Sequence, residues 1–465
     1  MDTFRIEHDS LGDMAIPYDA YYGCQTMRGV ESYAISGNPI SRFPQLVLAL
    51  AQVKKCAAKA NMQLKELTPE KANAIIAACD EILAGKLLDQ FVLDAIQGGA
   101  GTSTNMNANE VICNRGLELM GKVRGQYEFL HPNNDVNMGQ STNDVYPSAL
   151  RIALIYKLKQ LREAMRYAKT AFEEKGREFS HIIKMGRTQL QDAVPMTLGQ
   201  EFTAWSVMIG EDVDRVREAA DLVHEINMGG TAIGTGLNAA PGYTALVTRL
   251  LAQETGLPLV SASNLVEATQ DTGAYVQLSG VLKRVVVKLS KICNDLRLLS
   301  SGPRCGLNEI NLPPRAPGSS IMPGKVNPVI PEVVNQVCFK VIGNDITVTM
   351  AAEAGQLELN VMEPVIAASL FESIDLLRNA CYTLADKCVK GITANEEHCR
   401  QMVENSIGLV TALVPYLGYE LCSDVAKKAH KTGRQVRELL LETGQVTEDQ
   451  LNDLLKPEKM VAQGG

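Results

Sequence analysis

The sequence predicts an all-α protein, and three observations lead to this prediction. Long stretches repeat apolar residues at the i, i+3, i+4 spacing of a helix face, Gly or Pro separates these stretches, and the alternation of a half-buried strand is almost absent between them. The residue pattern changes near residue 140 and again after residue 393. We therefore predict three helical domains, 1–140, 141–393 and 394–465, the middle one a bundle of long helices.

The clearest helix is predicted from about residue 264 to residue 301. Its apolar positions recur with helical spacing up to Gly302 and Pro303, which provide a stop signal. Such a helix would be roughly 50 Å long, and its apolar face needs partner helices. That face consists of Leu278, Val281, Leu282, Val285, Val286, Leu289, Ile292, Cys293, Leu296 and Leu299.

Further helices follow from the same spacing in the first and middle domains. Bundles with wide apolar faces often continue across subunits, so we expect a homo-oligomer. The predicted helices cover about residues 43–61, 69–84, 145–175, 198–225, 331–355 and 364–389.

Charge and hydropathy exclude several classes of partner. The 465 residues carry a formal net charge of −8, and no basic stripe could follow a phosphate backbone, which argues against nucleic acid. No long uncharged apolar stretch occurs, and the charged N-terminal residues do not resemble a signal peptide. We therefore expect a cytoplasmic protein with no membrane partner.

The cysteines and histidines give no sign of a metal site. Eleven cysteines are scattered without CxxC pairs, and six histidines occur singly. This distribution predicts reduced, mostly buried thiols and no metal ion held by the protein.

Four polar stretches interrupt the helices, at 98–105, 140–144, 186–189 and 318–328, and each contains a glycine or directly follows one. The first two could be helix caps and the last a surface turn. Together they offer hydroxyls, amides and Lys325, without a Walker-type or Rossmann fingerprint, and this set suits a small carboxylate substrate. Lys325 would pair with one carboxylate, while hydroxyls and N–H groups would stabilise charge on another, as enolate-like chemistry requires.

The sequence resembles the fumarase/aspartase superfamily. The segment GSSIMPGKVNP at 318–328, called the signature loop below, is joined by GAGTSTNMNANE at 99–110, HPNNDVNMGQSTND at 131–144 and TAIGTGLN at 231–238. The resemblance runs from about residue 5 to about residue 456. It implies three helical domains, a homotetramer whose long helices form one shared core, and active sites each built from three chains. We expect neither a cofactor nor a metal ion.

Within the superfamily, several segments resemble the aspartase branch more than class II fumarases. These are DAYYG at 19–23, QSTND at 140–144, KMGRTQLQDAVPMTLGQEF at 184–202 and SGPRCGLNEINLP at 301–313. The resemblance implies reversible elimination of ammonia from L-aspartate to give fumarate. The alternatives are a class II fumarase and a non-catalytic structural relative, and the close aspartase-type loops argue against a nucleotide-sized substrate.

The resemblance also implies roles for individual residues. Ser319 would remove the Cβ proton, provided that N–H groups and Lys325 stabilise its alkoxide. The α-carboxylate would contact Thr188, Lys325 and Asn327, and the amino group Asn143 and Gln189. The β-carboxylate, as an aci-carboxylate intermediate, would be held by Thr102, Ser141, Thr142 and Ser320.

Two site positions depart from the fumarase pattern. Fumarases usually carry Ser at the position of Thr142. At the position of Gln189 they usually carry a His, which pairs with an acid that aligns with Glu332. An amide side chain cannot relay a proton at neutral pH. An alkyl-ammonium can depart as neutral ammonia without one, so this difference favours an amine leaving group.

Overall fold

Helices dominate the computed structural model, which describes residues 4–461. The prediction of an all-α fold is confirmed. The longer helices are Pro44–Gln63 (α2), Pro69–Leu83 (α3), Thr102–Leu119 (α4), Thr142–Glu178 (α5), Leu198–Asp221 (α6), Tyr243–Thr255 (α7), Gly273–Leu299 (α9), Val329–Glu353 (α10), Glu363–Lys387 (α11) and Tyr419–Thr432 (α14). The shorter ones are Cys24–Ser32 (α1), Leu265–Gln270 (α8), Glu396–Asn405 (α12), Leu409–Leu417 (α13), Val436–Glu442 (α15), Glu448–Leu454 (α16) and Pro457–Met460 (α17).

Short strands form four two-stranded sheets in the described residues, and the sequence pattern did not predict them. The hairpin β3–β4 escapes prediction because the first four residues of β3 are all buried, which leaves no alternation to detect. The pairs are Phe4–Asp9 (β1) with Gly12–Pro17 (β2), Ile183–Thr188 (β3) with Gln191–Thr197 (β4), Glu225–Ile226 (β5) with Val260–Ser261 (β6), and Ile310–Asn311 (β7) with Thr393–Ala394 (β8). All are antiparallel except β5–β6.

The long helix predicted from residue 264 is two helices. Asn264 caps α8 by accepting the N–H groups of Val266 and Glu267, and the backbone turns extended at Asp271 before α9 begins. From Leu278 onward the predicted face of α9 is buried except for the partly exposed Val281, and the stop at Gly302–Pro303 is confirmed. The other predicted helices are confirmed with small shifts at their ends.

The chain divides into two compact units. The first comprises Met1–Arg162, Asp214–Arg284 and Lys340–Leu376, and it contains a core formed where α2 packs on α3, α4 and α7. Buried alanines such as Ala49, Ala57 and Ala60 on α2 allow the close approach of these helices. The boundaries of the three predicted domains stay a prediction.

The second unit comprises Glu163–Val213, Val285–Phe339 and Leu377–Gly465. In it, Ile183 and Met185 of β3 pack into a core supplied by the C-terminal helices, with Val403, Leu413 and Leu440 among its members. This packing anchors the base of the β3–β4 hairpin, whose tip carries two of the residues predicted to bind substrate.

The cysteines are all free, and ten of the eleven are buried, so the prediction of reduced and mostly buried thiols is confirmed. Burial raises the pKa of Cys56, for example, to about 12. Cys305 is the exposed one. In the stretch 4–461, no helix combines the length and the apolar character needed to span a membrane.

Glu363, at the start of α11, gives a prediction about pH and stability. Burial raises its pKa to about 8 from an ordinary value of 4.5, and Arg151 opposes this only in part. At pH values between 4.5 and about 8, the Glu363 carboxyl has lost its proton in the unfolded chain and keeps it in the folded chain. The free energy of unfolding therefore falls as the pH rises through this range. Gln resembles the protonated acid.

We therefore expect Glu363→Gln to raise the melting temperature more at about pH 8 than at about pH 5. The gain in unfolding free energy should be larger at the higher pH by on the order of 1–3 kcal/mol. Thermal unfolding of both proteins at one protein concentration measures this. An equal shift at both pH values would contradict it.

Candidate active site

The signature loop holds the Ser319 side chain by two backbone N–H groups. The N–H groups of Ile321 and Met322 donate to the Ser319 hydroxyl oxygen at 3.2 and 3.1 Å. Two donors aimed at one oxygen stabilise negative charge on it, in the manner of an oxyanion hole. The local condition under which a serine could act as a base is therefore present in part.

The same loop closes on itself through its glycine and its asparagine. The Gly318 N–H donates to the Lys325 carbonyl oxygen at 2.7 Å, and the Asn327 amide donates to the Gly318 carbonyl oxygen at 2.6 Å. A Cβ on Gly318 would overlap that Lys325 carbonyl. The closure leaves Ser320 and the Lys325 side chain exposed beside a cavity of about 480 Å³ lined by residues 314–319 and 322–326.

Thr102 begins α4. This agrees with the alternative interpretation of the stretch 98–105 as the start of a helix. The Thr102 hydroxyl donates to the Gly99 carbonyl oxygen at 2.7 Å, and its side chain is exposed. The preceding Gly101 has φ +87°, and a Cβ there would overlap the ring of Tyr146. Only glycine lets the backbone pass over this ring and present Thr102 at the surface.

Ser141, Thr142 and Asn143 form the start of α5, and the cap interpretation of this stretch is confirmed. The Ser141 hydroxyl accepts the Asn143 N–H at 3.2 Å, while Thr142 is buried and accepts the Asn105 amide at 3.1 Å. Asn105 lies one turn after Thr102 on α4. The first unit therefore brings together the starts of α4 and α5, with four predicted residues on them.

Thr188 and Gln189 lie at the exposed tip of the β3–β4 hairpin. Gln189 and Leu190 form its two-residue turn with φ +55° and +62°, although neither is glycine. The predicted polar loop at 186–189 is thus the end of a strand and its turn. Ser319, Ser320, Lys325 and Asn327 lie in the same compact unit as this hairpin.

A buried ion-pair cluster below the hairpin tip was missed by the sequence analysis. Glu309 is fully buried and lies 2.9 Å from the Lys184 ammonium and 2.5 Å from the Arg187 guanidinium, and Lys184 also pairs with Glu201 at 2.6 Å. Burial would lower the pKa of Lys184, but the two carboxylates raise it. Arg187 directly precedes Thr188, so this cluster fixes the strand that carries the tip.

Lys54 is a second buried group that no sequence motif indicates. Its ammonium donates to the side-chain oxygens of Asn137 and Gln140 at 2.9 and 2.8 Å, directly before the Ser141–Asn143 segment. Burial lowers its pKa to about 7, with Asp144 opposing. Lysine on a predicted helix is ordinarily a surface residue, and no local pattern distinguishes this one.

Comparison with known proteins identifies the family. A family model described as lyase matches residues 12–343, and one described as fumarase C C-terminus matches residues 409–462. The aspartate ammonia-lyase of Pseudomonas fluorescens is 59% identical over 99% of this chain and 96% of its own, and that of Helicobacter pylori is 57% identical over 98% of both chains.

Solved structures agree with these matches. A fumarate lyase:delta crystallin from Brucella melitensis bound to cobalt superposes with a TM-score of 0.96 at 56% identity, covering 98% of this chain and 99% of that one. A class II fumarase from Schistosoma mansoni gives 0.92 at 36% identity, covering 99% and 100%. The resemblance found in the sequence motifs is confirmed, and the chain belongs to the lyase family of the fumarase/aspartase superfamily.

Proposed function

We propose that the protein is an aspartate ammonia-lyase, a carbon–nitrogen lyase that reversibly eliminates ammonia from L-aspartate to give fumarate. The observation that carries the chemistry is the Ser319 hydroxyl oxygen, which already accepts two N–H groups. Relatives at 57–60% identity over nearly the whole chain, named aspartate ammonia-lyases, support the choice of substrate.

The first step is proton removal from Cβ. Ser319, as its alkoxide, takes this proton, and the C–H bonding electrons move onto the β-carboxylate to form an aci-carboxylate. Thr102, Ser141, Thr142 and Ser320 supply hydroxyl donors where that charge accumulates. In the second step the electron pair returns to form the C=C bond, the C–N bond breaks, and ammonia leaves with its electrons.

The remaining predicted residues hold the parts of the substrate that do not accumulate charge. Lys325, Thr188 and Asn327 bind the α-carboxylate, the lysine as a point charge and the other two as hydrogen-bond donors. The Asn143 side-chain nitrogen donates to the Ala232 carbonyl oxygen at 2.7 Å. The side-chain oxygen of Asn143 is therefore left to accept from the substrate ammonium. Gln189 provides a second such oxygen.

We further propose a homotetramer in the cytoplasm, with each site built from three chains and no nucleic acid, membrane, cofactor or metal required. Support comes from an apolar stripe on α10 that a single chain leaves exposed. Phe339, Ile346 and Met350 are 61%, 57% and 67% exposed at helical spacing, and the open Gly343 lies between them. A stripe of this kind on a long helix fits packing against further copies of the chain.

Mixing two inactive variants tests the shared sites. Thr102→Ala and Lys325→Ala should each be inactive, because each removes a contact to a different carboxylate. If different chains supply these residues to one site, randomly mixed tetramers carry about a quarter of their sites without either lesion. We therefore expect activity to return after denaturation and co-refolding of the two variants.

The control is each variant refolded alone. Hybrid tetramers that form and yet show no activity above the parents would contradict sites shared between chains.

A direct assay tests the proposed function. The purified protein is incubated separately with L-aspartate and L-malate, and fumarate is followed by its ultraviolet absorbance. Rapid fumarate formation from L-aspartate is the expected result. Preferred turnover of L-malate would instead identify a class II fumarase, and turnover of neither would identify a non-catalytic relative.

A further inference from the structure

The segment 227–238, which contains the motif TAIGTGLN, supplies no side chain to the mechanism above, yet its backbone is unusually constrained. Gly229, Thr231, Gly234, Gly236 and Asn238 all have positive φ values between +56° and +94°. Thr231, at +56°, is β-branched, and this residue type strongly disfavours the left-handed region. A conformation this costly persists only where the surroundings hold it in place.

Asp144 is the group that holds this segment. One of its carboxylate oxygens accepts the N–H groups of Gly229 and Thr231 at 2.9 and 3.1 Å, and the other accepts the Ser141 N–H at 2.9 Å. Its side chain is fully buried. Because Ser141 caps α5 and Asp144 lies three residues later, the bond to the Ser141 N–H is one half of a capping box, while the Ser141 hydroxyl accepts the Asn143 N–H. The bonds to Gly229 and Thr231 are additional.

Two more hydrogen bonds join the same two segments. The Asn143 amide donates to the Ala232 carbonyl oxygen at 2.7 Å, and the Asn227 amide donates to the Asn143 carbonyl oxygen at 3.0 Å. Side-chain and backbone hydrogen bonds together thus fix the segment 141–143 to the segment 227–232. The start of a helix alone would not need this second segment.

We propose that Asp144 is a positioning residue for the active site, which holds Ser141, Thr142 and Asn143 in place by fixing them to the segment 227–232. This rests on the proposed function, because those three residues are the ones assigned to the β-carboxylate and the amino group. The aci-carboxylate exists only along the reaction path, so a displaced donor reduces its stabilisation more than it reduces substrate binding.

Asp144→Asn tests this assignment. The amide keeps the size of the side chain but offers one acceptor oxygen where three N–H groups converge, and its own N–H₂ opposes at least one of them. We expect kcat for L-aspartate to fall about 10²-fold with KM changed by less than about threefold, since a small displacement of such donors costs about this much. Amide hydrogen exchange at Ser141, Gly229 and Thr231 should accelerate at least about tenfold.

A control variant separates positioning from general stability. Asp94→Asn alters another buried aspartate that accepts several N–H groups, from residues 35–37 and 96, and we expect its kcat to stay within about twofold of wild type.

The outcomes separate the two proposals. A wild-type protein that forms no fumarate from L-aspartate refutes the proposed function, whereas amide exchange reads the positioning without any substrate. The inference is overturned if Asp144→Asn keeps wild-type exchange at the three amides. It is equally overturned if its kcat is unchanged or if Asp94→Asn loses kcat to the same extent.

Discussion

Replacing Ser319 by alanine is expected to lower kcat for L-aspartate by about 10²–10⁴-fold, the range that a positioned general base contributes. The Ser319 oxygen is the atom on which the N–H groups of Ile321 and Met322 converge, so its removal deletes the proposed base and leaves two donors without an acceptor. Because the loop carrying it is exposed, we expect the helical core and the proposed tetramer to form as in the wild type. Steady-state kinetics and sedimentation measure the two properties.

Ser300→Ala is the matched control for this variant. The Ser300 hydroxyl donates to the Leu296 and Arg297 carbonyl oxygens at the end of its own helix, so turnover should be preserved. Substantial turnover by Ser319→Ala would remove this residue from the mechanism and leave the proton acceptor unassigned.

The second large effect concerns the leaving group. We expect kcat/KM for L-aspartate to exceed that for L-malate by several orders of magnitude, because Gln189 can accept a hydrogen bond from an ammonium but cannot protonate a departing hydroxyl. A site whose polar groups are satisfied by an amine and left unpaired by other substituents discriminates at this level. D-aspartate should fail, because its Cβ proton and amine cannot face Ser319 and the Asn143/Gln189 pair together while both carboxylates stay bound.

Gln189→His makes this test sharper. The imidazole restores the fumarase-type residue, with Glu332 at the start of α10 as its aligned acid, so the ratio of malate to aspartate turnover should rise at least about tenfold. Gln200→His, which alters the glutamine that pairs with Thr197 at the start of α6, is the control. An unchanged ratio in Gln189→His, or comparable turnover of both substrates by the wild type, would contradict the role given to Gln189.

The long helices could be predicted from the sequence because the spacing of apolar residues within each segment is enough to indicate a helix. On α9, apolar residues three and four positions apart produced the face that is buried from Leu278 to Leu299. The hairpins could not be read in this way. In β3 both sides are buried up to Gly186. In β1 the apolar Ile6 is 67% exposed while Glu7 is buried, so neither strand has the single buried apolar side of a half-buried strand.

The site residues also fall into those that a local motif predicts and those that only distant contacts reveal. The signature motif predicts site roles for Ser319, Lys325 and Asn327, but only the folded loop reveals the two N–H groups that donate to Ser319. Asp144 and Glu309 were missed because their partners lie 85 to 125 residues away in the chain, as with Gly229 for Asp144 and Lys184 for Glu309. Local sequence spacing does not indicate pairing over such distances. A buried acidic residue also cannot be distinguished from an exposed one until its neighbours in the fold are known.

The exposed stripe of α10 has a consequence for how the protein is made. In the homotetramer proposed above, further copies of the chain would cover this stripe. A newly folded chain that has not assembled would present Phe339, Ile346 and Met350 to other proteins in a crowded cell, and such surfaces nucleate aggregation. Because assembly of that tetramer would compete with aggregation, we expect slower synthesis and lower temperature to increase the yield of soluble protein.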